Sequence, residues 1–532
     1  MDALSFNPNF HRFKTGCFAM LTLAFTRKFI IVASIVCYST FAMAGIRLPA
    51  IIADNMVLQQ NSRVALWGWA GAGEKVTITA SWNRTPVTAV ANDKGKWMAW
   101  LKTTKAGGPY TVTFRASDTV TINNVLLGEV WIASGQSNME FFVGKTSNAS
   151  YAGVIDYTEE IKTADYPSIR MIDVGNKVAD EPQENFAGKW KICSPQTADT
   201  FSGVAYYFAR EIHQATSFPI GIINATWGGT PAESWTKKEI LENDPDFKVI
   251  LDRYQKQCED YPAAMEKFRA AQSTWRADTS KSKGAAPAQP MGPNSNKSPY
   301  KLYNGMIAPL LPFTVKGVIW YQGENNADRA FQYRRLFPAM IDNWRKDFDN
   351  PNMPFYFVQI SPHRSQNPEI RDAQLYTYRH VPHTGMAVTT DNGDSLNIHP
   401  RNKKLVGERL ARWPLYFEYG NRKMVFSGPL YKSSKVAGNK IIVQFDYTGS
   451  GLVAKDGDLK EFVIAAQDSN FVPAKAVIEG NTVVVWSEQV VNPSAVRFAW
   501  KNVPSPNLYN KEGLPASPFR TDTRKLTTEG KN

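Results

Sequence analysis

Val125-Leu-Leu-Gly-Glu-Val-Trp-Ile-Ala-Ser-Gly-Gln-Ser-Asn-Met-Glu140 is the stretch on which the fold turns. Its apolar run from Val125 to Ile132 predicts a buried strand, which Ala133-Ser134-Gly135 brings to an end. A buried strand that stops at a glycine and turns sharply into a helix pushes its turn residue out at the end of the sheet. In open α/β sheets, ligands bind there. Ser137 stands on that tip, and two readings of it compete. Ser137-Asn138-Met139-Glu140 fits an S-x-x-E capping box, in which the hydroxyl bonds a backbone N–H. Alternatively the hydroxyl is a nucleophile, which demands a base, a group to orient the base and donors for an oxyanion. Met139 takes the place of the second glycine of a G-x-S-x-G elbow. The other parts must therefore come from elsewhere in the chain.

Downstream, apolar strands alternate with helical patterns. Phe218–Ile223 runs into Asn224-Ala-Thr-Trp-Gly-Gly-Thr230, Val315–Tyr321 into Gln322-Gly-Glu-Asn-Asn326, and Met386–Thr390 into Asp391-Asn-Gly-Asp394. Phe355–Ile360 is a further strand, and Val204–Ile212 has helical spacing. This pattern predicts a mostly parallel, doubly wound sheet over 128–415. Residues 238–299 interrupt it, helical and charged to about 279 and then rich in Lys, Ser, Pro, Gly and Asn. On either side the chain reads as β. Short strands at Val64–Trp69, Lys75–Thr79, Lys96–Leu101 and Tyr110–Phe114 predict an N-terminal β-sandwich over 45–127. Lys440–Phe445, Glu461–Ala465, Thr482–Trp486 and Ala495–Trp500 predict a second β unit over 416–532.

Three loops at strand ends supply what Ser137 lacks. Trp227-Gly228-Gly229 offers backbone N–H groups that approach a ligand closely. Gly228, with the N–H of Ser137, is an oxyanion-hole candidate. Gln322-Gly323-Glu324-Asn325 offers side-chain amides: Gly323-x-Asn325 has the G-x-N form, and Gln322 is the alternative donor. Asp391-Asn-Gly-Asp-Ser-Leu-Asn-Ile-His-Pro400 holds one imidazole, His399, with two carboxylates, Asp391 and Asp394, able to orient it. Pro400 suits a first helical turn, placing His399 at the start of a helix over 401–413. Each loop alone is an ordinary turn. Together, in the order Ser…Gly…Asn…His at one edge of one sheet, they compose an acyl-transfer site.

Composition sets the bounds. A chain of 532 residues, 43% hydrophobic with 15 Trp, holds two or three domains. Arg27-Lys28, the apolar run Phe29–Phe41 and Ala42-Met-Ala44 form the three parts of a secretory signal over 1–44. Cys37 lacks the small-residue context of a lipoprotein signal, so a secreted or periplasmic protein without a stable membrane anchor is expected. Cleavage removes Arg12, Lys14, Arg27 and Lys28 against Asp2, taking the net charge from +13 to +10. The remaining cations form no stripe of the kind that binds nucleic acid. Cys193 and Cys258 are left, allowing at most one internal disulfide, and no His or Cys spacing resembles a metal site. Neither metal nor cofactor is expected.

Gly135-Gln-Ser-Asn-Met139, Trp320-Tyr-Gln-Gly-Glu324 and Ile398-His-Pro400 resemble the sialate O-acetylesterase type of SGNH (GDSL-like) hydrolase. So do Asp54-Asn-Met-Val-Leu58, Leu302-Tyr-Asn-Gly-Met306 and Gly513-Leu-Pro-Ala-Ser-Pro-Phe-Arg520, so the resemblance spans nearly all of 45–532. It implies a metal-free carbohydrate O-deacetylase, with Ser137 as nucleophile and His399 as base. The expected substrate is an acetylated sugar, sialate first and acetylated xylan or another glycan second. The expected contacts to the sugar are Gln136, Trp227, Tyr321 and Glu324, with Trp320 a further stacking candidate. One departure stands out. Many SGNH enzymes carry an acid three residues before the histidine, and here that place is Leu396. Asp391, at the strand end, is the first choice for the acid. A non-catalytic carbohydrate-binding protein is the rival from another class, and ester hydrolysis separates the two.

Overall fold

The computed structural model describes residues 45–148, 151–278, 280 and 284–531. The expected signal segment, 1–44, lies outside the described residues. The centre is a sheet of seven strands: β1 (Thr119–Gly135), β2 (Tyr166–Asp173), β3 (Trp190–Cys193), β4 (Ile220–Thr226), β5 (Gly317–Tyr321), β6 (Phe355–Gln359) and β7 (Thr384–Val388). Their order is β7-β6-β5-β1-β4-β2-β3, every pairing parallel except that of β3. β4, β5 and β6 are buried at every position, as strands covered on both faces must be.

The register fixes where the site can form. Gly135 pairs with Thr226 on one side and Tyr321 on the other. Three strands thus end level, and the loops after them leave the sheet side by side. β6 and β7 end level with each other at Gln359 and Val388. Gly135 is required at its position: its φ is +132°, and a Cβ there would meet the Tyr321 carbonyl oxygen at 2.2 Å.

Helices α1 (Ser137–Glu140), α2 (Gly203–Thr216), α3 (Pro245–Ala277), α4 (Ala330–Asp347), α5 (Pro368–His380) and α6 (Lys403–Phe417) follow in chain order. α2 packs on α6 and α4 on α5. The first pair meets closely, since a Cβ on Gly407 would lie 2.6 Å from that of Tyr207. The 238–299 insertion is a short helix, Lys238–Asn243, followed by the 33-residue α3, which buries only Phe247 and Ile250.

The predicted N-terminal strands are present at Arg63–Trp69, Lys75–Ala80, Lys96–Lys102 and Gly107–Arg115, with a further one at Asn83–Val90. The boundary expected at 127/128 falls inside β1. Its first part pairs with Val57–Gln59 and Gly107–Arg115, and its second part is the middle of the parallel sheet. The C-terminal strands form antiparallel sheets, one of them built from Leu430–Ala437, Lys440–Asp446, Thr482–Trp486 and Lys475–Glu479. The architecture is mixed α/β, a large mixed sheet with additional antiparallel sheets. Cys193 and Cys258 are free thiols. Among the described residues no helix is long and apolar enough to cross a membrane.

Candidate active site

Ser137 is the first residue of α1, but its hydroxyl caps nothing. The helix has no side-chain cap, and Ser137 Oγ lies 2.8 Å from His399 Nε2. The capping reading is therefore set aside. Both residues line a cavity of about 710 Å³ over the ends of β1, β4 and β5, with Gln136, Trp227, Glu324 and Asn325 also in its wall.

His399 sits in a loop, not at the start of a helix as Pro400 suggested. α6 begins at Lys403, capped by Asn402, whose side chain accepts from the Leu405 N–H. Short polar bonds hold the loop. Asp394 Oδ1 accepts from the N–H groups of Leu396 and Asn397 at 2.8 and 3.1 Å, and Asn397 Oδ1 accepts from the His399 N–H at 2.9 Å. The Tyr151 ring stacks on the imidazole, centroids 5.5 Å apart and planes 20° from parallel. Burial first, then the charges of Lys403 and His363, depress the His399 pKa to about 4. The imidazole is thus neutral near neutral pH, and in its Nδ1–H tautomer Nε2 accepts from the serine hydroxyl.

The expected acid is elsewhere. Asp391 receives both ends of the Arg409 guanidinium at 2.6 and 2.8 Å and the Tyr509 hydroxyl at 3.4 Å. Asp394 is spent on its own turn. Among the described residues no hydrogen bond or ion pair joins either carboxylate to the His399 ring, and Leu396 is exposed. Strand-end position brought Asp391 near the site, but Arg409 on α6 claims it. Asp391→Ala strands a buried guanidinium and is expected to lower unfolding stability by about 3 kcal/mol, read as a shifted denaturant midpoint. Unchanged stability with a thousandfold loss of kcat would return Asp391 to the imidazole.

The amides divide in the same way. Gln322 is fully buried. Its amide nitrogen donates to the Thr230 carbonyl and to Asn326 Oδ1, and its oxygen accepts from the Tyr333 hydroxyl, so it does not reach the cavity. Asn325 does reach it, with Nδ2 donating to the Gly229 carbonyl and the backbone N–H donating to Gln136 Oε1 at 3.3 Å. The Gly228 N–H donates to Glu140, whose carboxylate also accepts from Tyr151 at 2.8 Å and whose pKa burial raises. Of the aromatic candidates, only Trp227 lines the cavity. Tyr321 and Trp320 are fully buried, the former with its hydroxyl on Ser361, so neither faces a sugar.

A buried network behind Ser137 went unseen in the sequence. Asn138 Nδ2 donates to Glu324 Oε1 at 2.6 Å and to the Ile398 carbonyl at 3.0 Å, and its Oδ1 accepts from Lys403 Nζ. One amide therefore ties the nucleophile turn, the Gln322–Asn325 loop and the residue before His399. Lys403 is fully buried, 4.6 Å over the Phe141 ring, and burial lowers its pKa to about 7 against the pull of Glu324. Glu324 lines the cavity as expected. Burial raises its pKa, and its Oε2 has no partner among the described residues. Among the described residues no group of three or more acidic, histidine or cysteine side chains is placed to hold a metal ion.

A family model for the carbohydrate esterases described as sialic acid-specific acetylesterases matches residues 127–277 and 293–415. Sialate O-acetylesterase of Rattus norvegicus is 31% identical over 91% of this chain and 95% of its own length. The Homo sapiens enzyme of that name is 29% identical over 89% and 92%. The crystal structure of a carbohydrate acetylesterase from Xanthomonas citri superposes with a TM-score of 0.76 at 33% identity, covering 90% of this chain and 100% of that one.

Proposed function

We propose a catalytic assignment for this chain, which belongs to the sialic acid-specific acetylesterase family of carbohydrate esterases and is a carboxylic ester hydrolase acting as a carbohydrate O-deacetylase. Ser137 is the nucleophile and His399 the general base, and the substrate is an O-acetylated sialic acid. The single observation that carries the assignment is the 2.8 Å contact between Oγ and a neutral Nε2 beneath the cavity.

In the first half-reaction Ser137 Oγ attacks the acetyl carbonyl as His399 Nε2 takes its proton. The tetrahedral oxyanion is held by the Ser137 N–H, which has no acceptor among the described residues, and by the Asn325 amide. The Gly228 N–H joins when Glu140 releases it. Each well-placed donor contributes about 3 kcal/mol in the transition state. His399 then returns the proton to the departing sugar hydroxyl, leaving an acetyl-serine. Water attacks that ester through the same imidazole, and acetate departs.

With no carboxylate on the ring among the described residues, Tyr151 stacking and the Asn397 bond to the His399 backbone fix the imidazole. The sheet order and level strand ends support an SGNH-type doubly wound catalytic region over 128–415 with β-sandwich domains at 45–127 and 416–532. An exported protein, secreted or periplasmic, fits the signal pattern of 1–44. The test is acetate release from mono-O-acetylated sialic acid, expected from the purified protein. Hydrolysis of aryl acetates with none of that sugar would overturn the sugar assignment and leave the esterase.

A further inference from the structure

Beside the catalytic cavity lies a second one, of about 560 Å³, and the two share Asn325 and Asp328 of the short helix Glu324–Arg329. Their charges are opposite. Among the described residues the catalytic cavity is lined by three carboxylates, Glu140, Glu324 and Asp328, and by no Lys or Arg. The second is lined by Arg253, Lys297, Arg329 and Lys531 against Glu233 and Asp328.

The cationic wall is organised from beneath. Glu233 is almost fully buried. Arg329 Nη1 sits 2.7 Å from its Oε1, while Asn326 Nδ2 donates to its Oε2 at 2.8 Å. Arg253 reaches the same Oε1 only at 3.4 Å and has no other polar partner among the described residues. One carboxylate thus serves two guanidiniums, and the half-exposed Arg253 keeps most of its donors for something else. Burial and the neighbouring Arg329 charge push its pKa down, as expected where positive charge is in excess. Lys297 stands at the passage between the cavities. Its Cε and the Asn325 amide nitrogen each lie 3.9 Å from the point a Gly229 Cβ would occupy.

We propose that this second cavity is an anion subsite, in which Arg253 and Lys297 bind the carboxylate of an acidic sugar whose acetyl ester lies at Ser137. The subsite rests on the esterase assignment above and gives the 238–299 insertion a role, since α3 carries Arg253 and the segment after it carries Lys297. A guanidinium with free donors suits a planar carboxylate, and the lysine adds a second charge. The acidic wall nearer Ser137 faces the uncharged, hydroxyl-rich part of the same sugar. Sialic acids and uronic acids both offer this chemistry.

The test measures kcat and KM on four substrates: an O-acetylated sialic acid, its methyl ester, an acetylated glucurono-xylo-oligosaccharide and the acetylated neutral xylo-oligosaccharide. The wild-type protein is expected to favour a free carboxylate by about tenfold, expressed in KM and weakened by added salt. Arg253→Gln and Lys297→Gln should each erode that preference, the pair should abolish it, and Arg253→Lys should keep part of it. The acid that shows the larger preference identifies the source. A wild-type enzyme that treats free acid and methyl ester alike, or a double variant that keeps the preference, would overturn the subsite. Failure of the wild-type protein to cleave any of the four, or an aryl acetate, would overturn the esterase assignment instead.

Discussion

Ser137→Ala is expected to lower kcat/KM for an aryl acetate by about 10⁴-fold or more. The reason is structural. The hydroxyl is the nucleophile, set 2.8 Å from His399 Nε2 in the turn after β1. The remaining donors would support only the slow background that oxyanion binding gives to water attack. The variant should fold, because Ser137 Oγ bonds His399 and caps no helix. Its thermal midpoint should stay close to that of the parent while activity vanishes. A loss of activity together with a collapsed midpoint would point to structure instead of chemistry.

His399→Ala comes second, at about 10³-fold, within the range for removal of a general base. The pH profile is the sharper form of this prediction. A base works in its neutral form, so activity falls as the pH drops through its pKa. An ordinary histidine would place that limb near ~6.5. Burial, Lys403 and His363 depress the His399 pKa to about 4, so kcat/KM should hold well below pH 6 and fall as the medium approaches pH 4. Lys403→Met removes one of the cations that disfavour imidazolium and should move the limb upward. Glu324 is the acidic group facing Lys403 across Asn138, and its pKa moves the same way: without the cation its carboxyl is harder still to ionise. A limb that stays near 6.5 in both proteins would mean that the imidazole is neither desolvated nor sensitive to Lys403.

The strand ends were legible in the sequence because burial on both faces leaves a continuous apolar run, and glycine marks where each run stops. Gly135, Gly228 and Gly323 therefore pointed to three loops that the register does bring together. Partner choice was not legible. Asp391 and Asp394 are close to His399 along the chain, but adjacency says nothing of Arg409, eighteen residues on, which takes Asp391 from α6. Gln322 and Asn325 look equivalent as amides. The fold turns one into the core against Tyr333 and leaves the other at the cavity. Lys403 was the least visible. Beside Lys404, which is exposed and pairs with Glu408, it reads as half of a solvated lysine pair. Only the packing of Phe141 and Tyr321 around its ammonium reveals a buried cation. The insertion reads only as helical and charged, because nothing in a helical charge pattern shows that its Arg253 will converge with Arg329 on Glu233.

The most direct measurement of the central claim is covalent. A fluorophosphonate that labels activated serines should add once per chain, at a rate that falls with the acidic limb of the profile, and digestion should place the adduct on Ser137. His399→Ala should slow the labelling in proportion to its loss of esterase activity. An adduct on any other residue, with aryl acetate hydrolysis persisting in Ser137→Ala, would contradict the account.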